Sequence, residues 1–154
     1  MIINLLDKLN ITYDVFEHAP VYTANEAQFI KKHISGVGCK NLFLKSDTNK
    51  YYLYLLPDDK LADIKTLEKF LHVKKLHFAL ATDLENILNL KQGGVTPLGI
   101  INDKNNLVTI IIDEHLKNKR LLMHPEVNTK TLSIEYNDLI KYIKYLNHNY
   151  LNFG

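Results

Sequence analysis

The chain has 154 residues, which suits one domain, and its 46% apolar and 23% charged residues are an ordinary balance for a globular protein. A formal net charge of +2 is too small for a protein that coats nucleic acid, although a domain that touches only the end of an RNA is compatible with it. The single cysteine, Cys39, excludes an internal disulfide and predicts a reducing, cytoplasmic setting. No apolar run approaches the roughly 20 residues needed to span a bilayer, so no membrane partner is expected.

Capping signals and apolar residues at helical spacing mark the helices. Thr23 with Glu26, and Thr82 with Glu85, each have the spacing of a capping box, and Asp63 is a further candidate N-cap. Together with the apolar spacing, these signals predict helices at residues 2–9, 24–33, 64–71, 82–90, 113–117 and 136–147.

Short apolar or alternating runs between the helices have the length of strands. They predict strands at residues 11–16, 41–46, 51–56, 76–79, 100–101, 107–112, 121–124 and 130–134. Turn residues at 47–50 and 102–106 predict two hairpins, and hairpins require antiparallel pairing. The interleaved helices require some crossover connections. The predicted fold class is therefore α/β (α+β), a single domain over residues 1–154 with a mixed, mostly antiparallel sheet surrounded by helices.

The common catalytic signatures are missing from the sequence. None of the seven histidines lies in a His-Glu-x-x-His pattern, and no Cys-x-x-Cys pair occurs, so no metal site is predicted. Neither a Gly-x-Ser-x-Gly elbow nor a Gly-Lys-Ser/Thr phosphate loop is found. Gly93 and Gly94 follow a helix and precede a strand, whereas a dinucleotide-binding turn runs from strand to helix.

The first unusual cluster begins at Cys39 and Lys40, where the chain enters a strand after a glycine-rich bend. Lys40 is either a solvated lysine at a strand end or a group aimed into a cleft. Cys39 beside a lysine has the surroundings of a reactive thiol, but no sequence feature pairs it with a histidine. A small buried apolar role for Cys39 is therefore favoured.

The second cluster is the loop at residues 93–99, which holds three glycines and Pro97. Such a loop lets the backbone pass close to a ligand with its amides turned outward. A tight connection between a helix and a strand explains the same pattern equally well.

The third cluster is at residues 124–129, where His124 is followed by a proline-bent loop and Asn128. This arrangement presents two polar side chains in fixed positions, but a surface turn with a structural histidine would have the same sequence.

Five segments, in this order, resemble the YbaK and prolyl-tRNA-synthetase-associated editing superfamily, and within it the free-standing Ala-tRNA(Pro) deacylases. The resemblance covers nearly the whole chain, and the His-Pro-x-x-Asn-Thr pattern at 124–129 is the most useful for the subgroup. Leu98 departs from the phenylalanine that is commoner after the loop proline. The segments are 18–23, 40–44, 51–60, 93–99 and 124–129.

The resemblance implies hydrolysis of the ester between a wrong amino acid and the terminal adenosine of a tRNA. Alanine fits a proline pocket, and losing a methylene weakens binding by only about 1–3 kcal/mol, so a second, smaller site improves fidelity. The implied partner is the acceptor end of mischarged tRNA(Pro), with prolyl-tRNA synthetase or an elongation factor as further candidates. The alternatives are a deacylase for cysteine or serine, and a non-catalytic module that binds tRNA or a synthetase.

The resemblance also implies roles for particular residues, without a cofactor or a metal. Lys40 and a backbone amide of the loop at Gly93 stabilise the oxyanion, or Lys40 holds the adenosine or its phosphate. His124 and Asn128 orient the adenosine or the attacking water. The catalytic set is Lys40, His124 and Gly93, and the substrate-binding set is Val21, Thr23, Asn41, Thr96, Pro97, Gly99 and Asn128.

Overall fold

The computed structural model of the chain describes residues 1–20 and 24–154. In this part of the chain the α-helices are α1 (Ile2–Lys8), α2 (Ala24–His33), α3 (Ile64–Leu71), α4 (Ala81–Leu88) and α5 (Tyr136–Tyr145), and Pro97–Asn102 and Glu114–Leu116 form short 3-10 helices. The strands are β1 (Asp14–Glu17), β2 (Val37–Ser46), β3 (Tyr51–Pro57), β4 (Leu76–Phe78), β5 (Val108–Asp113), β6 (Arg120–Met123), β7 (Lys130–Glu135) and β8 (Tyr150–Phe153).

The strands form one mixed sheet in the order β1-β7-β6-β2-β3-β5-β8, and β4 pairs with β2 beside this path. The pairs β1–β7, β2–β3, β2–β4 and β6–β7 are antiparallel, whereas β2–β6, β3–β5 and β5–β8 are parallel. This arrangement confirms the predicted fold class.

One edge of β2 is divided between two neighbours, and the division leaves a gap. Val37 and Gly38 pair with β6, and pairing with β4 begins only at Leu44. Antiparallel strands turn the polar groups of alternate residues to opposite edges. Ser46 donates to Lys50 on the β3 side, whereas the Phe43 carbonyl accepts from Ala79 on the β4 side. The backbone N–H and C=O of Asn41 therefore point to the gap.

The largest core cluster lies on the sheet face that α1 and α5 cover. Residues of β5, β6 and β7 fill it, and the Tyr142 hydroxyl on α5 donates to the Leu98 carbonyl at 2.6 Å. A second cluster packs α3 against the opposite face, where Leu67 and Tyr54 are almost fully buried. The two clusters therefore pack against both faces of the sheet beside the gap.

The helix starts were predicted with mixed success. Asp63 caps α3 as predicted, accepting from the Thr66 amide at 3.1 Å. The capping box at Thr82 is wrong, because α4 begins one residue earlier with Leu80 at the N-cap and no side-chain cap bond. Thr23 of the other box lies outside the described residues.

The second predicted hairpin is also wrong. Residues 97–102 form a 3-10 helix, which begins because the Thr96 hydroxyl accepts from the Leu98 amide at 3.3 Å and Pro97 fits the first helical position. β5 then pairs in parallel with β3 and β8 instead of folding back on residues 100–101. Strand β8 itself was missed, since its four residues carry no alternating pattern that would distinguish them from a tail.

Candidate active site

A pocket of about 200 Å³ lies beside the gap in β2, at the end of β6. Its volume is below the roughly 300–1,000 Å³ of pockets for drug-sized ligands, so it suits a small group. Four aliphatic or sulfur-containing side chains, five polar ones and a glycine form its wall. The lining residues are Ile30, Lys31, Gly38, Cys39, Asn41, Asp58, Leu122, Met123, His124 and Thr131.

His124 follows β6 directly and forms one wall of the pocket. Its Nδ1 lies 2.8 Å from the carbonyl oxygen of Lys130, and since a carbonyl only accepts, Nδ1 carries the proton. Burial lowers the pKa of His124 below its ordinary value, and the nearby His18 lowers it further, although the bond to Lys130 opposes this. The ring is therefore neutral at pH 7, with Nε2 as the nitrogen left to accept a proton.

His18 and Thr131 support the wall beside His124. The Nε2 atom of His18 lies 2.7 Å from the Thr131 hydroxyl, and its Nδ1 lies 2.7 Å from the Ala19 carbonyl oxygen. The rings of His18 and His124 are 6.3 Å apart between centroids. Because both nitrogens of His18 are engaged within the protein, His124 is the histidine available to a ligand in this part of the described chain.

Asn41 contributes a buried polar atom to the pocket. Its Oδ1 atom is buried, and no described residue donates a hydrogen bond to it. A buried acceptor left unpaired costs about 1–3 kcal/mol. Because Asn41 also lines the pocket, this oxygen is placed to accept from a donor on a bound ligand.

An ion pair closes another side of the pocket. Lys31 Nζ on α2 lies 2.9 Å from Asp58 Oδ2, just beyond β3, and both side chains are about a quarter exposed. Gly38 makes room for the pair: a Cβ at this position would come within 2.2 Å of the Asp58 carboxylate and 2.5 Å of Lys31 Cε. The pair therefore joins α2 to the sheet directly over the glycine.

Cys39 lines the pocket as a protonated thiol. Burial raises its pKa to about 12, and the Asp58 carboxylate adds to this effect. A thiol of this pKa is not a nucleophile at pH 7. The small apolar role that the sequence favoured for Cys39 fits these surroundings.

Lys40 lies on the other face of β2 from Cys39 and Asn41. Successive side chains of a strand alternate between faces, and Leu42 packs in the cluster under α3, whereas Cys39 packs against the main core. Lys40 is not among the residues that line the described pocket. Its predicted catalytic role stays a prediction.

The glycine loop meets the loop after His124. A Cβ on Gly93 would lie 3.3 Å from Asn128 Nδ2, and one on Gly94 would lie 3.2 Å from the Glu126 carbonyl oxygen. Gly93 has a φ of +89°, a conformation that favours glycine, and Glu126 has a φ of +112°. The structure thus brings Gly93 and Asn128 together behind His124, though neither lines the pocket.

The remaining predicted substrate-binding residues lie elsewhere. Thr96, Pro97 and Gly99 are buried at the start of the 3-10 helix, and a Cβ on Gly99 would come within 2.7 Å of the Leu90 side chain. Leu98 is fully buried in the main core and does not line the pocket. Val21 and Thr23 lie outside the described residues.

Several residues of the pocket were not predicted from the sequence. Lys31, Asp58 and Thr131 are far apart along the chain, and only the β2–β6 pairing and the packing of α2 bring them together. A glycine inside a strand would have indicated a close approach of other atoms, but the predicted strand begins at residue 41 and leaves Gly38 outside it.

Two further properties bear on the chemistry. No group of three or more histidine, cysteine, aspartate or glutamate side chains in residues 1–20 and 24–154 is arranged to hold a metal ion. Within the same residues, no helix is long and apolar enough to cross a membrane.

The chain belongs to the aminoacyl-tRNA editing domain family, whose model matches residues 18–142. It is therefore an enzyme of the aminoacyl-tRNA deacylase class, acting on mischarged tRNA. It is 35% identical over 145 residues to the prolyl-tRNA editing protein ProX of Acetoanaerobium sticklandii, an alignment that covers 93% of this chain and 88% of that protein.

Other relatives and structures agree with this family. The prolyl-tRNA synthetase associated domain-containing protein 1 of Danio rerio is 32% identical over 146 residues, covering 93% of this chain and 79% of that protein. A crystal structure of a protein proposed as a trans-editing enzyme for prolyl tRNA synthetase superposes with a TM-score of 0.74 at 18% identity, covering 97% of this chain and 91% of that chain. At this identity the superposition shows the shared fold alone.

Proposed function

We propose that the chain releases alanine from Ala-tRNA(Pro) by attack of water on the aminoacyl ester. The observation that carries this proposal is the small pocket in which apolar side chains meet the Nε2 side of the His124 ring and Asn41 Oδ1, which accepts from no described residue. Proline tRNA as the substrate is supported by the relative named for prolyl-tRNA editing. A cytoplasmic location, where charged tRNA is consumed, stays a prediction.

His124 is the proposed general base. Its Nδ1 proton is held by the Lys130 carbonyl, so Nε2 takes a proton from water as the water attacks the ester carbonyl. The protonated ring then returns this proton to the ribose oxygen as the bond between that oxygen and the acyl carbon breaks. The lowered pKa keeps the ring in the required neutral form at pH 7. The aminoacyl ester is already labile, and a neighbouring ribose hydroxyl helps to activate the water.

Asn41 is the proposed anchor for the substrate. Its unpaired Oδ1 accepts from the α-ammonium of the aminoacyl group, and its backbone N–H points to the gap, where it can donate to the developing oxyanion. The nearby wall of Leu122 and Met123 limits the side chain that fits. A methyl group is accepted, and the proline ring is rejected by its size.

The other proposed roles rest on the family resemblance. Lys40 and an amide of the loop at Gly93 assist the oxyanion, and Asn128 orients the terminal adenosine. Lys40 lies across β2 from the pocket and Gly93 lies behind His124. These residues thus act at the rim or through the positions of His124 and Asn41.

The test is single-turnover deacylation of Ala-tRNA(Pro), Cys-tRNA(Pro), Ser-tRNA(Pro) and Pro-tRNA(Pro) by the wild type and by Lys40→Ala. The proposal expects fast release of alanine, slow release of proline and loss of turnover in Lys40→Ala. Faster release of cysteine or serine would show that the chain is specific for that amino acid instead of alanine. Tight binding of tRNA without release of any amino acid would favour a non-catalytic binding module.

A further inference from the structure

A row of aromatic rings runs from the outer face of α2 to the pocket. Phe29 is tilted by 47° against His33, with 4.4 Å between the ring centroids, and also lies 6.3 Å from Phe16. His33 is stacked on Phe16 at 5.0 Å with a 10° angle between the ring planes. Phe16 lies 5.7 Å from His18, which lies 6.3 Å from His124 in the pocket wall. We call these five residues the ring row.

The outer end of the ring row is open to solvent. Phe29 is 53% exposed and His33 is exposed, whereas Phe16 packs on the cluster of Ile30, Ile34 and Leu122. The His33 ring is held by a 2.9 Å contact between its Nδ1 and the Phe29 carbonyl oxygen. The protein thus holds a half-exposed phenyl ring in place at the outer end of the ring row.

The charge around this end suits a polyanion. The last turn of α2 is basic, with Lys31, Lys32 and His33, and Lys32 is exposed next to the rings. Lys31 is neutralised by its pair with Asp58, so the exposed Lys32 supplies the positive charge at this end. An exposed aromatic ring flanked by cations is the combination by which proteins bind single-stranded nucleic acid, with bases stacked on rings and phosphates near lysines.

We propose that the ring row binds the unpaired nucleotides that precede the terminal adenosine of the substrate tRNA, with one base stacked on Phe29. This inference rests on the proposed function in one respect, that the pocket holds the aminoacyl end of a tRNA. The nucleotide that precedes the esterified adenosine must then lie on the protein surface beside the pocket. The ring row leads away from His124 along that path.

The test separates the pocket from the ring row by the length of the substrate. Alanyl-adenosine fills the pocket alone, whereas an alanylated CCA trinucleotide also reaches the ring row. Phe29→Ala should raise KM for the trinucleotide by roughly 5- to 150-fold, the range of one base stack, and leave kcat/KM for alanyl-adenosine unchanged. Phe29→Trp should retain or lower the KM. Phe78→Ala is the matched control, because Phe78 is 67% exposed on β4, outside the ring row.

A binding measurement makes the result independent of catalysis. An uncharged single strand with 2-aminopurine in place of the penultimate base should lose fluorescence on binding to the wild type and to Phe78→Ala, but not to Phe29→Ala. Equal KM and equal quenching for Phe29→Ala and Phe78→Ala would overturn the proposal and leave the proposed function intact. Quenching that depends on Phe29, without deacylation of any substrate, would support base stacking on the ring row and contradict the proposed hydrolysis.

Discussion

The Nδ1 atom of His124 lies 2.8 Å from the carbonyl oxygen of Lys130, six residues further along the chain. The contact spans the loop between β6 and β7, so the antiparallel pairing of these strands fixes the ring. It also fixes the tautomer, since Nδ1 must donate. The reactivity of Nε2 therefore follows from the way the loop is closed.

Replacing His124 with glutamine should remove the general base. We expect kcat to fall by about 10²–10⁴ with little change in KM, measured on Ala-tRNA(Pro). Since burial holds the His124 pKa below 6.5, wild-type kcat/KM should be constant around pH 7 and fall only below pH 6.5, as the ring becomes protonated. His77→Gln, at an exposed site on β4, is the control. A midpoint above 6.5, or an active His124→Gln variant, would contradict this role.

The Asn41→Leu substitution should weaken substrate binding without lowering the free energy of unfolding. It removes the unpaired Oδ1 and keeps the size of the side chain, so the free energy of unfolding should hold or rise by up to about 1–3 kcal/mol in urea titrations. The same change should raise KM at least tenfold, because the substrate ammonium loses its acceptor. A less stable variant with normal KM would show that Asn41 is structural.

Gly38→Ala should open the Lys31–Asp58 pair, since the new methyl group occupies the space of the carboxylate. We expect a loss of about 1 kcal/mol, the upper range for a partly exposed ion pair. In the Asp58→Ala background the same substitution should cost much less, because the carboxylate is gone and the Lys31 side chain, without its partner, can move away from the new methyl group. Strict additivity in a double-mutant cycle of urea titrations would contradict the geometry.

Met123→Ala should widen the pocket. Met123 is 3% exposed and lines the wall, so truncation should raise the rate on Pro-tRNA(Pro) relative to Ala-tRNA(Pro). The free energy of unfolding should fall by about 2–5 kcal/mol. Met123→Leu, which keeps the volume, should preserve the wild-type ratio of rates. An unchanged ratio in Met123→Ala would show that another wall selects the side chain.

Protonation of the buried Asp113 should contribute to the loss of stability at low pH. Its carboxylate contacts Lys60 Nζ at 2.6 Å and His115 Nδ1 at 2.8 Å. Burial alone would raise the pKa of Asp113, but these bonds outweigh burial and lower it below 3.8. Its contribution is therefore complete above pH 3.8 and is lost as the pH falls below that value.

Asp113→Ala should accordingly cost about 1–3 kcal/mol at pH 7, because it removes the acceptor of the His115 amide and the partner of Lys60, whose partly exposed side chain can rehydrate. The difference from the wild type should shrink when urea titrations are repeated below pH 3.8. A difference that stays constant between pH 7 and pH 3 would argue against a charged Asp113 in the folded protein.

The sequence predicted the elements whose signals are local. Asp63 predicted the start of α3, and the apolar runs in β2 and β3 predicted a hairpin. The alternation of helices and strands predicted the mixed sheet. The sequence predicts a strand at residues 100–101, because Ile100 and Ile101 are apolar and lie between turn residues, but these residues belong to the 3-10 helix that begins at Pro97. Local patterns do not distinguish a buried 3-10 turn from a strand of that length.

The pocket could be predicted only in part. His124 and Asn41 lie in the segments that resemble the family, so the sequence predicted both as site residues. No local pattern showed that Asn41 lines the pocket and that its neighbour Lys40 does not. That distinction depends on the strand alternation relative to β6. Lys31, Asp58 and Met123 come from three separate elements, and their meeting is a property of the sheet order.

The most direct test of the pocket as the aminoacyl site uses a substrate analogue that cannot be hydrolysed, 3′-deoxy-3′-alanylamino-adenosine. Its binding should be followed by NMR through the side-chain amide of Asn41 and the imidazole of His124. If the pocket binds the alanyl group, both resonances shift together on titration, and the Asn41→Leu protein loses most of the affinity. Saturable binding that leaves both resonances in place would put the aminoacyl group elsewhere and contradict the proposed site.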